Sequence, residues 1–261
     1  MAFAVNAAKA RLKKNELSIG IGIRLVRNVD IVKVMKAAGF DWLFIDLEHG
    51  SMSIETACEI ASSAQHSGLG PIVRVPSGAL TMAPRVLDGG ALGIVVPHVD
   101  TPEEAREIAD KLRYPPRGHR SVGGGQAQFD YEPMPLGEMT TKSDENTLIV
   151  VMIETPKAVE NAEAIAAVPG IDCLLVGSSD LSMEMGIPGD TGNPKVQAAV
   201  DKVIAACTKH GKWPGMGGAY TEELLKLYTD KGRKFLLSGN DLPMLTGAAR
   251  AHQAKVRAFQ K

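Results

Sequence analysis

The stretch Phe40-Asp41-Trp42-Leu43-Phe44-Ile45-Asp46-Leu47-Glu48-His49-Gly50 is apolar from Trp42 to Ile45 and then stops at two acids and a histidine. A short apolar run of this kind reads as a buried strand. Three ionisable groups in four positions are costly in a core, where each buried charge needs a partner. At a strand end they suit a site, because the strand fixes the backbone while its tip faces solvent. The plainer alternative has Asp46 and Glu48 bonded only to loop backbone and His49 at the surface. Clusters of this kind favour functional sites without requiring one.

Outward from this stretch, strand-like and helix-like segments alternate. Strands are predicted at 17–25, 42–46, 71–75, 93–97, 148–153, 173–176, 213–216 and 235–237. Helices are predicted at 30–38, after Ser53, at 81–89 and 101–112, from Thr155-Pro156, and at 194–210, 221–230 and 241–259. A leading helix is expected over 1–15. Thr101-Pro102-Glu103-Glu104 is the strongest helix start, with an N-cap, a proline at the first position and acids in the first turn. Eight strand–helix units without a compositional break predict one α/β domain over 1–261, a single (β/α)8 TIM barrel. A doubly wound open sheet is the main alternative. No GxGxxG follows the first strand and no GxxxxGK[ST] occurs, which weakens its nucleotide-binding form. One segment, 114–146, breaks the rhythm with Pro115-Pro116-Arg117-Gly118 and Gly123-Gly124-Gly125. Long irregular segments are usually functional, so it is expected over the site or in a subunit interface.

Composition narrows the function. The 261 residues carry 29 Lys+Arg against 30 Asp+Glu, so no basic face for nucleic acid is required. Three dispersed cysteines form neither a disulfide framework nor a zinc ribbon. The N-terminal apolar run precedes the basic residues, the wrong order for a secretory signal, and no apolar stretch reaches membrane-spanning length. A soluble, reducing, cytoplasmic setting is expected.

Barrel chemistry comes from the carboxyl ends of strands. Those ends carry Arg24, Asp46, Glu48, His49, Arg74, His98 and Glu154, with Asp180 in the loop after the sixth strand. Glu154 ends a wholly apolar run and needs a cation if buried. Glu154 and Asp180 together suggest a hard divalent ion, Mg²⁺ or Mn²⁺, with positions left for water and substrate. The competing reading pairs Glu154 with Arg74 or Arg120 as a structural salt bridge. Lysines lie mostly in helices and turns, which argues against imine chemistry.

Gly39-Phe40-Asp41-Trp42-Leu43, Ile45-Asp46-Leu47-Glu48-His49, Val73-Arg74-Val75-Pro76, Arg113-Tyr114-Pro115-Pro116-Arg117-Gly118 with Arg120, Ile153-Glu154-Thr155, and Gly177-Ser178-Ser179-Asp180-Leu181-Ser182 with Met185-Gly186 form an ordered set. It resembles the HpcH/HpaI family of metal-dependent class II pyruvate aldolases. The resemblance implies Glu154 and Asp180 as metal ligands, with Co²⁺ also compatible. It implies His49 as general base, Arg74 as the group stabilising the enolate or aldehyde oxygen, and Asp88 as the group raising the basicity of His49. Backbone around Ser179 and Asp180 would hold the substrate carboxylate. The partners implied are a small 2-oxo acid and an aldehyde, within a homohexamer whose last helix packs on a neighbour. Departures from the family pattern concern the substrate: Met152 stands where many relatives have Gln, Gly177-Ser178-Ser179-Asp180 replaces Gly-Pro-Ala-Asp, Gly22 occupies an aromatic position, and Arg24 ends the first strand. They imply a roomier, differently charged pocket that takes a donor larger than pyruvate, such as hydroxypyruvate.

Two other activities fit the same residues less well. An acyl-CoA or phosphoenolpyruvate-type enzyme needs a basic patch for phosphates, which only Arg113, Arg117 and Arg120 offer. A non-catalytic barrel that binds an oxo acid would not need His49, Arg74, Asp88, Glu154 and Asp180 together.

Overall fold

Strands buried on both faces carry two interleaved sets of side chains, and here the two sets build two separate cores. The computed structural model describes residues 3–124 and 126–260. Met1, Ala2, Gly125 and Lys261 lie outside the described residues, and with them the start of the expected leading helix and the last of the three consecutive glycines.

Eight parallel strands close into a barrel in chain order. They are β1 (Ser18–Ile23), β2 (Trp42–Asp46), β3 (Gly70–Arg74), β4 (Gly93–Val96), β5 (Leu148–Ile153), β6 (Cys173–Gly177), β7 (Trp213–Gly217) and β8 (Phe235–Asn240). Helix α1 (Ala7–Lys13) precedes the barrel, and α2 (Ile31–Ala37), α3 (Ile54–His66), α4 (Met82–Asp88) and α5 (Pro102–Leu112) follow β1 to β4 in turn. Helix α6 (Leu136–Asn146) lies inside the segment expected to be irregular. Two short helices, α7 (Pro156–Glu160) and α8 (Ala162–Ala166), follow β5 where one was expected. The rest are α9 (Ser178–Glu184), α10 (Pro194–Lys209), α11 (Glu222–Asp230) and α12 (Asp241–Arg257).

The outward-facing set (Leu43, Ile45, Val73, Ile149, Val151, Ile153, Leu174, Val176) packs beneath the helices. The inward-facing set (Trp42, Phe44, Ile72, Leu148, Val150, Met152, Cys173, Leu175, Phe235, Leu237) fills the barrel. Successive strand residues alternate faces, so the inward count continues by twos to Asp46, Arg74, Glu154 and Gly177 at the carboxyl-end mouth. On β1 the same count runs through Gly20 and Gly22 to Arg24.

The opposite end is closed. Trp42 stacks on Phe235 with ring centroids 4.0 Å apart. Ala8 and Leu12 of α1 join the inward-facing cluster. Asn6 explains why this helix begins at Ala7: its side-chain oxygen accepts from the Lys9 N–H, and its amide donates to the carbonyls of Leu92 and Asn146 at 2.6 and 3.2 Å. One side chain therefore caps α1 and ties it to the barrel floor.

Three further expectations change. β8 runs to Asn240, beyond the expected 235–237, because its polar end still pairs with β1 across a register shift between Gly20 and Gly22. Asp180 sits in the first turn of α9 instead of a loop. The 114–146 segment is largely ordered. A 3₁₀ turn at Ala127–Phe129 buries its side chains, and Gln126, Gln128 and Ser143 hydrogen-bond to one another.

Leu12 is 2% exposed. Leu12→Ala leaves a cavity under the barrel floor and is expected to cost about 2–5 kcal/mol of unfolding free energy. Urea denaturation of the wild type and the variant measures it.

Candidate active site

Burial requires Asp46 to be paired. Its carboxylate is fully buried. Arg74 donates from Nε to Oδ1 at 2.9 Å and from Nη2 to Oδ2 at 2.6 Å, a bidentate pair. Arg24 Nε donates to the same Oδ2 at 2.6 Å. Asp46 Oδ1 also accepts from the backbone N–H groups of Glu48 and His49. Burial by itself pushes the Asp46 carboxyl up. The Arg74 hydrogen bonds, the two guanidinium charges and the His49 N–H overcome that and hold it below its ordinary value. The remaining Arg74 nitrogen, Nη1, lies 2.9 Å from Glu48 Oε2, and the guanidinium stands 5.1 Å over the Phe44 ring.

Glu154 is as buried as Asp46, at 1% exposure, and far less satisfied. Oε2 accepts from the backbone N–H of His98 at 3.0 Å, while buried Oε1 has no hydrogen-bond partner among the described residues. Desolvation, helped by the nearby Asp180 charge, pushes its pKa up to about 7 against the opposing influence of the His98 N–H and charge and of Arg74. The expected structural partners are engaged elsewhere: Arg74 with Asp46 and Glu48, Arg120 with Asp88. Gly177 makes room for this carboxylate, because a Cβ there would fall inside it.

An orphaned buried carboxylate oxygen beside a second carboxylate fits a hard divalent cation. Among the described residues no group of three or more His, Cys, Asp or Glu side chains gathers round a common point. The set is therefore two carboxylates, which suits an ion that keeps several coordination positions for water and substrate.

A cavity of about 280 Å³ opens at the barrel mouth, and His49, Arg74, Met152, Glu154, Ser179 and Asp180 all line it. Six of the seven residues singled out from the sequence are thus brought together. Asp88 is not: it is absent from the lining, and its carboxylate accepts from Arg120 Nη2 at 2.7 Å instead of meeting His49. Arg24, expected to change the charge of the pocket, lines it, and so do Tyr220 and Asn240, which were not singled out. Strand parity was the signal for Arg24. Asn240 carried none, because β8 was expected to end before it. The backbone N–H of His98, at a φ of 50°, serves Glu154, a role that side-chain chemistry does not foretell, and its Nδ1 lies 3.6 Å from Glu154 Oε2.

Two of the three arginines weighed as a patch for nucleotide phosphates are structural. Arg113 is fully buried against Asp172 at 2.6 Å, and Arg120 is enclosed between Asp88 and the Tyr114 ring. Only Arg117 remains substantially exposed.

A closed (β/α)8 barrel that collects carboxylates, arginines and a histidine round one cavity at its carboxyl-end mouth defines an enzyme. The chain belongs to the HpcH/HpaI aldolase/citrate lyase family, whose sequence pattern matches residues 25–241. It is 40% identical over 259 residues, covering 98% of this chain and 96% of the relative, to a 4-hydroxy-4-methyl-2-oxoglutarate aldolase of Hapsidospora irregularis. It is 33% identical over 261 residues, covering 100% and 96%, to a hydroxypyruvate/pyruvate aldolase of Delftia acidovorans. The crystal structure of an HpcH/HpaI aldolase from Desulfitobacterium hafniense superposes with a TM-score of 0.91 at 31% identity, covering 95% of this chain and 96% of that one. The protein is accordingly a carbon–carbon lyase of the aldolase type.

Two outcomes follow from the buried acids. Asp46→Ala leaves the buried Arg74 guanidinium with Glu48 alone and removes the acid that holds Arg24, and is expected to cost about 3–5 kcal/mol of stability, read by chemical denaturation. Glu154 behaves oppositely without metal. Its folded pKa of about 7 lies above the ordinary 4.5, so the folded state loses stability as pH rises between those values. Glu154→Gln is expected to melt higher than wild type at pH 8 in chelator, with the gap closing by pH 5. Added Mn²⁺ should raise the melting temperature of the wild type alone.

Proposed function

We propose that this aldolase cleaves and forms 4-hydroxy-2-oxo acids with a divalent cation, Mg²⁺ or Mn²⁺, held by Glu154 and Asp180. The orphaned Glu154 oxygen beside Asp180 supports this reading most directly. A cation there would supply Lewis-acid polarisation of the 2-oxo carbonyl.

The chain's own residues divide the remaining work. Ser179 and the backbone at the start of α9 receive the substrate carboxylate. Met152 and Phe44 line the cavity as apolar wall beneath it. His49, exposed at the mouth, takes a proton from the 4-hydroxyl in cleavage and from C3 of the donor in synthesis. In cleavage the C3–C4 bond breaks, its electron pair enters the C2–C3 enolate, C4 becomes a carbonyl, and C3 then takes a proton. Arg74 stabilises the oxygen that gains charge, and Asp46 holds it in place beforehand. Asp88 has no part in this scheme within one chain, since Arg120 occupies its carboxylate.

The donor range includes hydroxypyruvate as well as pyruvate, in keeping with the Delftia relative's name. The Hapsidospora relative's named substrate carries a second carboxylate on C4, so the acceptor need not be a simple aldehyde. The reading extends to a cytoplasmic homohexamer in which α12 packs on a neighbour. Leu242, Met244, Leu245 and Val256 of that helix are exposed on the single chain.

Deuterium exchange into the methyl group of pyruvate in D₂O, followed by NMR, tests the reaction. Exchange is expected with Mn²⁺ or Mg²⁺ and not in chelator, and is expected to fall at least about 100-fold in His49→Ala and in Glu154→Gln. Exchange that ignores the metal would refute the role of Glu154 and Asp180.

A further inference from the structure

Asp241 and Asp46 together place one guanidinium at the mouth with donors to spare. Arg24 follows β1 directly. Its backbone N–H donates to Asp241 Oδ1 at 3.1 Å, and the N–H groups of Leu25 and Val26 donate to Oδ2 at 2.9 and 2.8 Å. Three successive amides on one buried carboxylate fix the Arg24 backbone. Asp46 then fixes the side chain through Nε.

The geometry beyond Nε separates the two arginines. Arg74 is 4% exposed and spends Nε, Nη1 and Nη2 on Asp46 and Glu48. Arg24 is 34% exposed, lines the same cavity, and has no protein partner at Nη1 or Nη2 among the described residues. It presents two free donors in a planar fork, the arrangement that matches a carboxylate.

The wall beside it is polar for a related reason. Gly22 pairs with Asn240 across the β1–β8 seam, and a Cβ at position 22 would fall inside the Asn240 side chain. Glycine at 22 therefore admits a polar amide where a larger residue would fill the space. Asn240 is 6% exposed, lines the cavity, and its Oδ1 has no hydrogen-bond partner among the described residues. The β1–β8 seam thus presents a polar amide beside Arg24, while Leu237, Phe44 and Met152 supply apolar lining.

We infer that Arg24 is a specificity-determining residue that binds a carboxylate on the acceptor half of the substrate. The inference rests on the aldolase reading given above. The substrate is then a 4-hydroxy-2-oxo diacid whose second carboxylate lies on the half that leaves as the carbonyl acceptor. Cleavage breaks C3–C4, leaves the electron pair on the donor enolate, releases the 4-hydroxyl proton to the base, and yields a 2-oxo acid and a carbonyl compound that keeps the second carboxylate. No oxidant or reductant is needed. A guanidinium already fixed through Nε by Asp46 loses little side-chain freedom on meeting an anion. A substrate lacking that carboxylate leaves the fork unpaired, which is where strong discrimination originates.

The test compares cleavage of 4-hydroxy-4-methyl-2-oxoglutarate with that of 4-hydroxy-2-oxopentanoate, which lacks the second carboxylate, in wild type, Arg24→Gln and Arg24→Lys. Pyruvate deuterium exchange is measured in parallel with Mn²⁺. The wild type is expected to prefer the diacid. In Arg24→Gln the ratio of the two kcat/KM values is expected to fall roughly 100-fold, mainly through KM for the diacid, and Arg24→Lys should recover part of it. Equal loss on both substrates would reduce Arg24 to a support for Asp46 and overturn the inference. So would an unchanged ratio, or a wild type that prefers the neutral acceptor. A wild type that cleaves neither and exchanges no deuterium would instead overturn the aldolase reading itself.

Discussion

A single buried carboxylate, Asp46, sets the geometry of the mouth. It is fully enclosed and yet ionised, because two guanidinium groups and two backbone N–H groups converge on it. Each partner is oriented by the bond it makes. Arg74 is locked beneath the cavity, Arg24 is swung to its edge, and the chain from Glu48 to His49 is turned so that the imidazole reaches the opening. Taking one charge from water is expensive, and here that cost is spread over groups that all serve one site. The ion pairs gain rigidity more than stability, which is what charge stabilisation in a transition state requires.

Glu154 occupies the equivalent place on β5 with the opposite economy. Its neighbours include a second acid, Asp180, and among the described residues its carboxylate accepts a single hydrogen bond. A stable fold carries such a group because the other end of the barrel is over-secured. The inward-facing cluster, the Trp42–Phe235 stack and the helix α1 plug bind the floor by apolar contact and by the Asn6 hydrogen bonds. Stability and chemistry are separated along the barrel axis, as strand direction in this architecture allows.

Much of this was legible in the chain. The eight alternations predicted the barrel, and the charged ends of apolar runs predicted Arg74, Glu154 and His49 at one mouth. What escaped was partnership. The spacing of Arg120, Arg74 and Glu154 left open which acid each arginine would meet, and the fold assigned Arg120 to Asp88 and Arg74 to Asp46. The Arg113, Arg117 and Arg120 group looked like one basic patch in sequence but was divided by burial. Asn240 escaped because Ser238-Gly239-Asn240 lacks the apolar pattern by which a strand is recognised, although its ladder to β1 continues.

The sequence by itself determined the number and direction of the strands, the residues at their ends, and through the period of two which of those ends face inward. It determined the family as well, since the ordered motifs around His49, Arg74, Glu154 and Asp180 survive as linear patterns. Only the tertiary structure decided which charges neutralise one another, which carboxylate oxygen is left without a partner, and which guanidinium keeps free donors. Local periodicity depends on neighbours along the chain. Pairing depends on distances between β1, β2, β3 and β5, and these exist only after the barrel has closed.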